Sequence, residues 1–315
     1  MRIARIRLTP RLAILPAVSV ISLVPKMHAQ RPEPVQRSES YAARCGVAGA
    51  PIDVGSYLPL PRGDVFCPLI ADPKATRSFV TYQRGNDSDL ATDIAAVGIA
   101  DQFPFFRVAG ASSGSGVQLG LAGAVFAQFD LGSPSYDLLN ADYLIGLPLT
   151  FRAGPVSGRV RVYHQSSHLG DELLLRPNPP KRENLSFESA EGLLSLDILA
   201  LRVYGGGEYF LGRDPIDLPQ RLWHGGAELR SRTVANFGIA TVRFVVAGDA
   251  KVVLDTVTRT GVSARAGFEF ARPREAEVGS RRWSLLAEYY DGPSPYGQFY
   301  RQQVRLTGIG MHFTL

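Results

Sequence analysis

Along most of this chain, apolar and polar residues alternate with a period of two, the pattern of strands that bury one face and present the other to a different medium. Val117, Leu119, Leu121, Val125 and Ala127 share one parity against Gln118 and Gln128. Tyr143, Ile145, Leu147, Leu149 and Phe151 repeat it one segment later, and Ile309, Met311, Phe313 and Leu315 close the chain in the same way. Turn chemistry divides the pattern into strands predicted over 75–84, 92–107, 116–129, 138–151, 158–168, 184–196, 199–211, 220–231, 238–249, 257–270, 280–290 and 301–315. An even number of long, alternating segments joined by turns predicts an all-β fold, a transmembrane antiparallel β-barrel of about 12 strands. Charge obeys the same parity. Arg159 and Arg161 oppose the apolar row of their strand, as they must when Arg facing lipid costs about 2–4 kcal/mol at the bilayer midplane. Arg305 breaks the rule, because it shares the apolar parity of the last strand. It therefore needs either an interfacial position or a bulge that resets the register.

Three regions follow. Residues 1–29 form a signal peptide: Arg2, Arg5, Arg7 and Arg11 precede an apolar stretch from Leu12 to Val24, and Ala29 offers a cleavage site before Gln30. Residues 30–74 are rich in Pro, Gly and Arg without a sustained period and read as an N-terminal extension outside the main sheet. Residues 75–315 form the barrel. Beyond the signal segment no uncharged apolar run reaches about 18 residues, so no membrane-crossing helix is expected and the bacterial outer membrane is the expected location. The chain has 2 cysteines, Cys45 and Cys67, which export would carry into an oxidising compartment, so a disulfide tying the extension is expected. The formal charge of +5 gathers no basic run, so no nucleic-acid partner is expected; for a barrel in the outer membrane the expected partners are outer-membrane lipids.

The candidate chemistry lies in Tyr163-His164-Gln165-Ser166-Ser167-His168-Leu169-Gly170-Asp171-Glu172. Parity continues from Val160 and Val162 to His164, Ser166 and His168, and the next strand brings Asn184 and Glu188 to the same outer face. A His-x-Ser pair on a strand has alpha-carbons about 7 Å apart on one face, close enough for a base to take the serine proton. His164 would be the base, Ser166 the nucleophile, and Glu188 or Asn184 the group that orients the imidazole. A one-residue bulge would turn Ser167 outward instead. His168, Asp171 and Glu172 form a second set, whose carboxylate oxygens would suit Ca2+. The plainer alternative is a non-catalytic structural or small-solute transport barrel, with interfacial histidines and a lumen lined by Arg159, Arg161, Glu208 and Glu228. A twelve-stranded lumen filled by side chains is too tight for a general porin.

The triplet His164-Gln165-Ser166, set on such a barrel, resembles outer-membrane phospholipase A and the lipid A deacylases. Both families use a His-x-Ser on the outer barrel surface with Asn or Glu on the neighbouring strand, and the resemblance implies a serine hydrolase of lipid acyl esters. The chain departs from them at Ser167, where those families carry Asn. The mature chain as a whole resembles a bacterial family of unknown function with barrel character. That likeness runs through Pro68-Leu69-Ile70-Ala71-Asp72-Pro73, Phe126-Ala127-Gln128-Phe129-Asp130, Gly146-Leu147-Pro148-Leu149-Thr150 and the Tyr163–Glu172 stretch. It implies a fold without an activity.

Overall fold

A computed structural model describes residues 53–85, 92–111, 114–254, 259–271 and 282–314. The expected signal peptide and Cys45 lie outside the described residues. A short strand β1 (Tyr57–Pro59) is followed by β2 (Ser78–Gly85), β3 (Asp93–Ala109), β4 (Gly116–Asp130), β5 (Leu138–Ala153) and β6 (Val156–Leu169). One helical turn, α1 (Asp171–Leu174), leads to β7 (Leu185–Ile198), β8 (Leu201–Asp214), β9 (Arg221–Asn236), β10 (Thr241–Leu254), β11 (Arg259–Ala271), β12 (Arg282–Pro293) and β13 (Gln303–Thr314). Each strand from β2 to β13 pairs antiparallel with its sequence neighbours, and β13 returns to β2, closing a barrel of 12 strands. Every segment predicted from alternation is one of these strands. Strands of about 14 residues, tilted by about 40°, span more than the ~25 Å apolar band of an outer-membrane barrel.

The alternation becomes inside and outside. Tyr143, Ile145, Leu147 and Leu149 are exposed on the outer wall, while Arg159 and Arg161 are buried in the lumen. Arg305 keeps its outward parity with no register shift in its strand pair. It lies at the strand end nearest the 294–302 connection, 2.8 Å from Asp291 on β12. The interfacial solution, not the bulge, is the one used.

The extension departs from expectation. Tyr57–Pro59 joins the sheet by pairing with β3, and the chain then runs into the lumen and back to the start of β2. Val65, Phe66, Cys67, Leu69, Ile70 and Ala71 are all buried. Buried charges on the barrel wall hold this re-entrant segment. Arg152 donates to the carbonyl of Val65 (2.7 Å), Arg202 to that of Cys67 (3.0 Å) and Arg265 to that of Ile70 (2.7 Å). The amide of Ile70 donates to Glu228 at 2.7 Å. The guanidinium groups of Arg159 and Arg202 both lie over the ring of Phe66, 5.1 and 4.7 Å from its centre. A lumen lined with charge must pair it, and an irregular segment offers free carbonyls that strands have already spent on one another. Cys67 is buried within this segment; its expected partner Cys45 lies outside the described residues, so the disulfide stands as an expectation.

Candidate functional site on the outer wall

β6 pairs with β5 and with β7 without a register shift, so parity holds to the end of the strand. His164, Ser166 and His168 therefore face outward. Ser167 turns into the lumen, where its hydroxyl meets Asp142 and donates to Asn140 at 2.9 Å. The same hydroxyl accepts the amide of Gln298 at 3.1 Å, and the Gln298 side chain donates to the Ser167 carbonyl at 2.7 Å. Ser167 is thus a fastening for the 294–302 connection, and the bulge that would have made it the nucleophile is absent.

His164 stands directly across from Glu188, and its Nδ1 lies 2.9 Å from Glu188 Oε1. Ser166 is the next outward residue on β6, opposite Tyr143 on β5 and Ser186 on β7. Among the described residues no hydrogen bond joins Ser166 to His164; the ring presents its Nε2 edge free of the carboxylate. Two features of β8 make room for Glu188. It pairs with Gly212, where an added Cβ would come within 2.4 Å of Glu188 Oε2. The β7–β8 ladder also slips one residue between Glu188 and Ser189, a bulge of the kind that re-aims side chains beside functional sites. Below the pair the wall is apolar, with Val160, Val162, Ile145 and Leu147 all exposed. Tyr143 flanks Ser166, its ring set edge-on to His168 at 5.8 Å. The polar group therefore sits at the upper margin of the lipid-facing belt.

Two expected contributions are not made. Asn184 does not orient His164: it precedes β7 and donates to Asp214 at 2.7 Å. His168, Asp171 and Glu172 do not converge. Asp171 and Glu172 are the exposed acids of the first turn of α1, where negative charge suits the free amides, and that turn exists to bury Leu173. Among the described residues, the trio of His and carboxylate groups close enough to share an ion is Asp72, His224 and Asp249, whose donor atoms lie within 4.8 Å of one another in the lumen. Internal donors already serve it. Lys251 reaches Asp72 at 2.7 Å, and His224 and the Tyr204 hydroxyl each reach Asp249 at 2.6 Å. Sequence reasoning missed this group because its members lie on β9, β10 and the re-entrant segment: the β9–β10 register brings His224 beside Asp249, and only the path of the re-entrant segment adds Asp72.

No curated protein matches the chain. Among solved structures, an active-site mutant of outer membrane phospholipase A from Escherichia coli is similar over 80% of this chain and 93% of its own, with 15% identity and a TM-score of 0.51. The Salmonella typhi outer membrane phospholipase dimer with bound calcium covers 77% of this chain and 94% of its own, at 14% identity and a TM-score of 0.49. The beta domain of the Bordetella autotransporter BrkA covers 76% and 97%, at 14% identity and a TM-score of 0.40. The first of these likenesses places the fold among outer-membrane barrels. The fold is thus the twelve-stranded barrel of outer-membrane proteins, and a family model described as "Protein of unknown function (DUF1207)" matches residues 2–315, so the chain belongs to the DUF1207 family.

Proposed function

We propose that this barrel hydrolyses acyl esters of outer-leaflet lipids, with Ser166 as nucleophile, His164 as base and Glu188 as the group that positions the imidazole. The observation that carries the reading is the 2.9 Å contact of His164 Nδ1 with Glu188 Oε1 on the lipid-facing wall, one outward position from a serine. A carboxylate accepting from Nδ1–H fixes the tautomer in which Nε2 carries the lone pair. Turning the Ser166 hydroxyl toward Nε2 lets the ring take its proton as Oγ bonds to the ester carbonyl carbon. The tetrahedral adduct collapses, the lipid alcohol leaves with the proton held on Nε2, and an acyl-serine remains. Water then repeats the sequence, giving its proton to His164 and releasing the fatty acid and free Ser166. The apolar belt below and Tyr143 beside the site would seat an acyl chain with its ester at the level of Ser166.

Likeness in fold to outer membrane phospholipase A adds to the reading without assigning any residue. The alternative of small-solute passage fits less well, because the re-entrant segment runs through the lumen and is bonded to its wall. The test is fatty-acid release from phospholipid and lipopolysaccharide vesicles by the refolded chain, with Ca2+ or a chelator present. Ser166→Ala and His164→Ala should each lower the rate by a hundredfold or more. Ser167→Ala should keep the activity. Equal rates for the Ser166→Ala variant and the parent chain would remove the proposal.

A further inference from the structure

The re-entrant segment fills only part of the lumen. Above Asp72-Pro73-Lys74, between β6 and β12, lies a cavity of about 180 Å³, room for on the order of ten waters. Its walls are unlike the usual polar interior of an outer-membrane barrel. Leu185, Phe187, Phe210, Leu218, Leu222 and Val253 all line it, and the rings of Phe187 and Phe210 stack at 4.5 Å.

The floor is charged, and its acceptors are already served. Asp72 receives Lys251 at 2.7 Å and the Lys74 amide at 2.9 Å. Glu191 receives Arg159 and Arg161 at 2.7 and 2.8 Å. Glu208 receives the Tyr163 hydroxyl, and Asp249 receives His224 and Tyr204. The donors are not all served. Arg161, in the floor, has a buried Nε–H without an acceptor. Arg259, which lines the cavity at the start of β11, has no hydrogen-bond or ion-pair partner among the described residues. Strand register sets where this cation stands. Glu208 pairs with Leu222, Leu222 with Val253 and Val253 with Arg259, so the four lie side by side on one inward-facing row. At about 4.8 Å per strand, the row runs roughly 14 Å from an unpaired guanidinium, across Val253 and Leu222, to Glu208, two residues short of Phe210 on β8.

An unpaired cation at one end of an apolar slot calls for a ligand with an anionic head and an apolar body. We infer that this lumenal cavity binds an amphipathic carboxylate of medium chain length, with its head on Arg259 and its chain along Val253 and Leu222 toward Phe187 and Phe210. The site lies inside the barrel, on the other face of the wall from His164 and Ser166, and the inference does not depend on the hydrolase reading.

The experiment is equilibrium dialysis of radiolabelled decanoate against the full chain folded in amphipol, with 1-decanol and decylamine as competitors. Folding of each variant is checked by electrophoretic mobility. Decanoate should bind saturably at one site per chain, and decanol and decylamine should compete poorly. Arg259→Gln should weaken binding roughly tenfold to a hundredfold, the loss of a charge-assisted contact. Val253→Trp, which fills the slot, should abolish binding, and Ser166→Ala should leave it unchanged. No saturable binding, equal competition by decanol or decylamine, or unchanged affinity in either the Arg259→Gln or Val253→Trp variant would each overturn the inference. Loss of binding in Ser166→Ala would place the ligand on the outer wall and overturn it too.

Discussion

The ion pair between Lys74 and Asp142 gives the sharpest test of how the re-entrant segment is held. Asp142 is fully buried in β5 and Lys74 nearly so, with Nζ and Oδ2 2.5 Å apart. The same carboxylate accepts from Asn140 at 2.9 Å and from the Gly297 amide at 3.1 Å, and it meets the Ser167 hydroxyl. It therefore joins the re-entrant segment, β6 and the 294–302 connection at one point. The Lys74 ammonium also lies over the rings of Phe126 and Tyr296, at 4.5 and 4.1 Å, which makes it hard to rehydrate in place. Asp142→Asn keeps the acceptor geometry but leaves this cation without its anion. Breaking one side of a buried pair costs about 3–5 kcal/mol, whereas replacing both charges with groups of similar shape is often close to neutral. Lys74→Met should cost about as much as Asp142→Asn, and the double variant should cost well under the sum of the two. The coupling should be at least ~2 kcal/mol. The assay is urea unfolding in lipid vesicles, read from the mobility difference between folded and heat-denatured barrel on electrophoresis. Two single variants within ~0.5 kcal/mol of the parent chain, or a double variant whose loss equals their sum, would refute the reasoning.

Other consequences are more direct. Glu188→Gln should lower lipid-ester hydrolysis by tenfold or more, while Asn184→Ala should leave it unchanged, since Asn184 is bonded to Asp214 and not to His164; the same vesicle assay reads both. Leu147→Arg places a charge on the exposed apolar belt and should cost about 2–4 kcal/mol in the unfolding assay, against little for Leu175→Arg, in the exposed turn after α1. If Cys45 and Cys67 are paired, thiol labelling of the envelope-purified protein, denatured without reductant, should find no free cysteine; two labelled thiols would end that expectation.

The sequence determined the barrel because a strand in a barrel wall faces two media, and its period-2 record is local. Twelve segments, their order, the inward Arg159 and Arg161 and the outward Tyr143, Ile145, Leu147 and Leu149 all follow from alternation read strand by strand. Parity also carried His164, Ser166 and Glu188 to one face, since a strand without bulges keeps its register to the end. What parity cannot count is the partner. That Glu188 rather than Asn184 meets His164 was decided by the β6–β7 register and by the room left at Gly212. Ser167 was decided the same way, by Asn140, Asp142 and Gln298 closing on it from elements far apart in the chain. The path of residues 60–74 left no sustained period to read. An irregular segment in a charged lumen is specified by carbonyls and amides meeting Arg152, Arg202, Arg265 and Glu228, and those side chains face one another only after the barrel has closed.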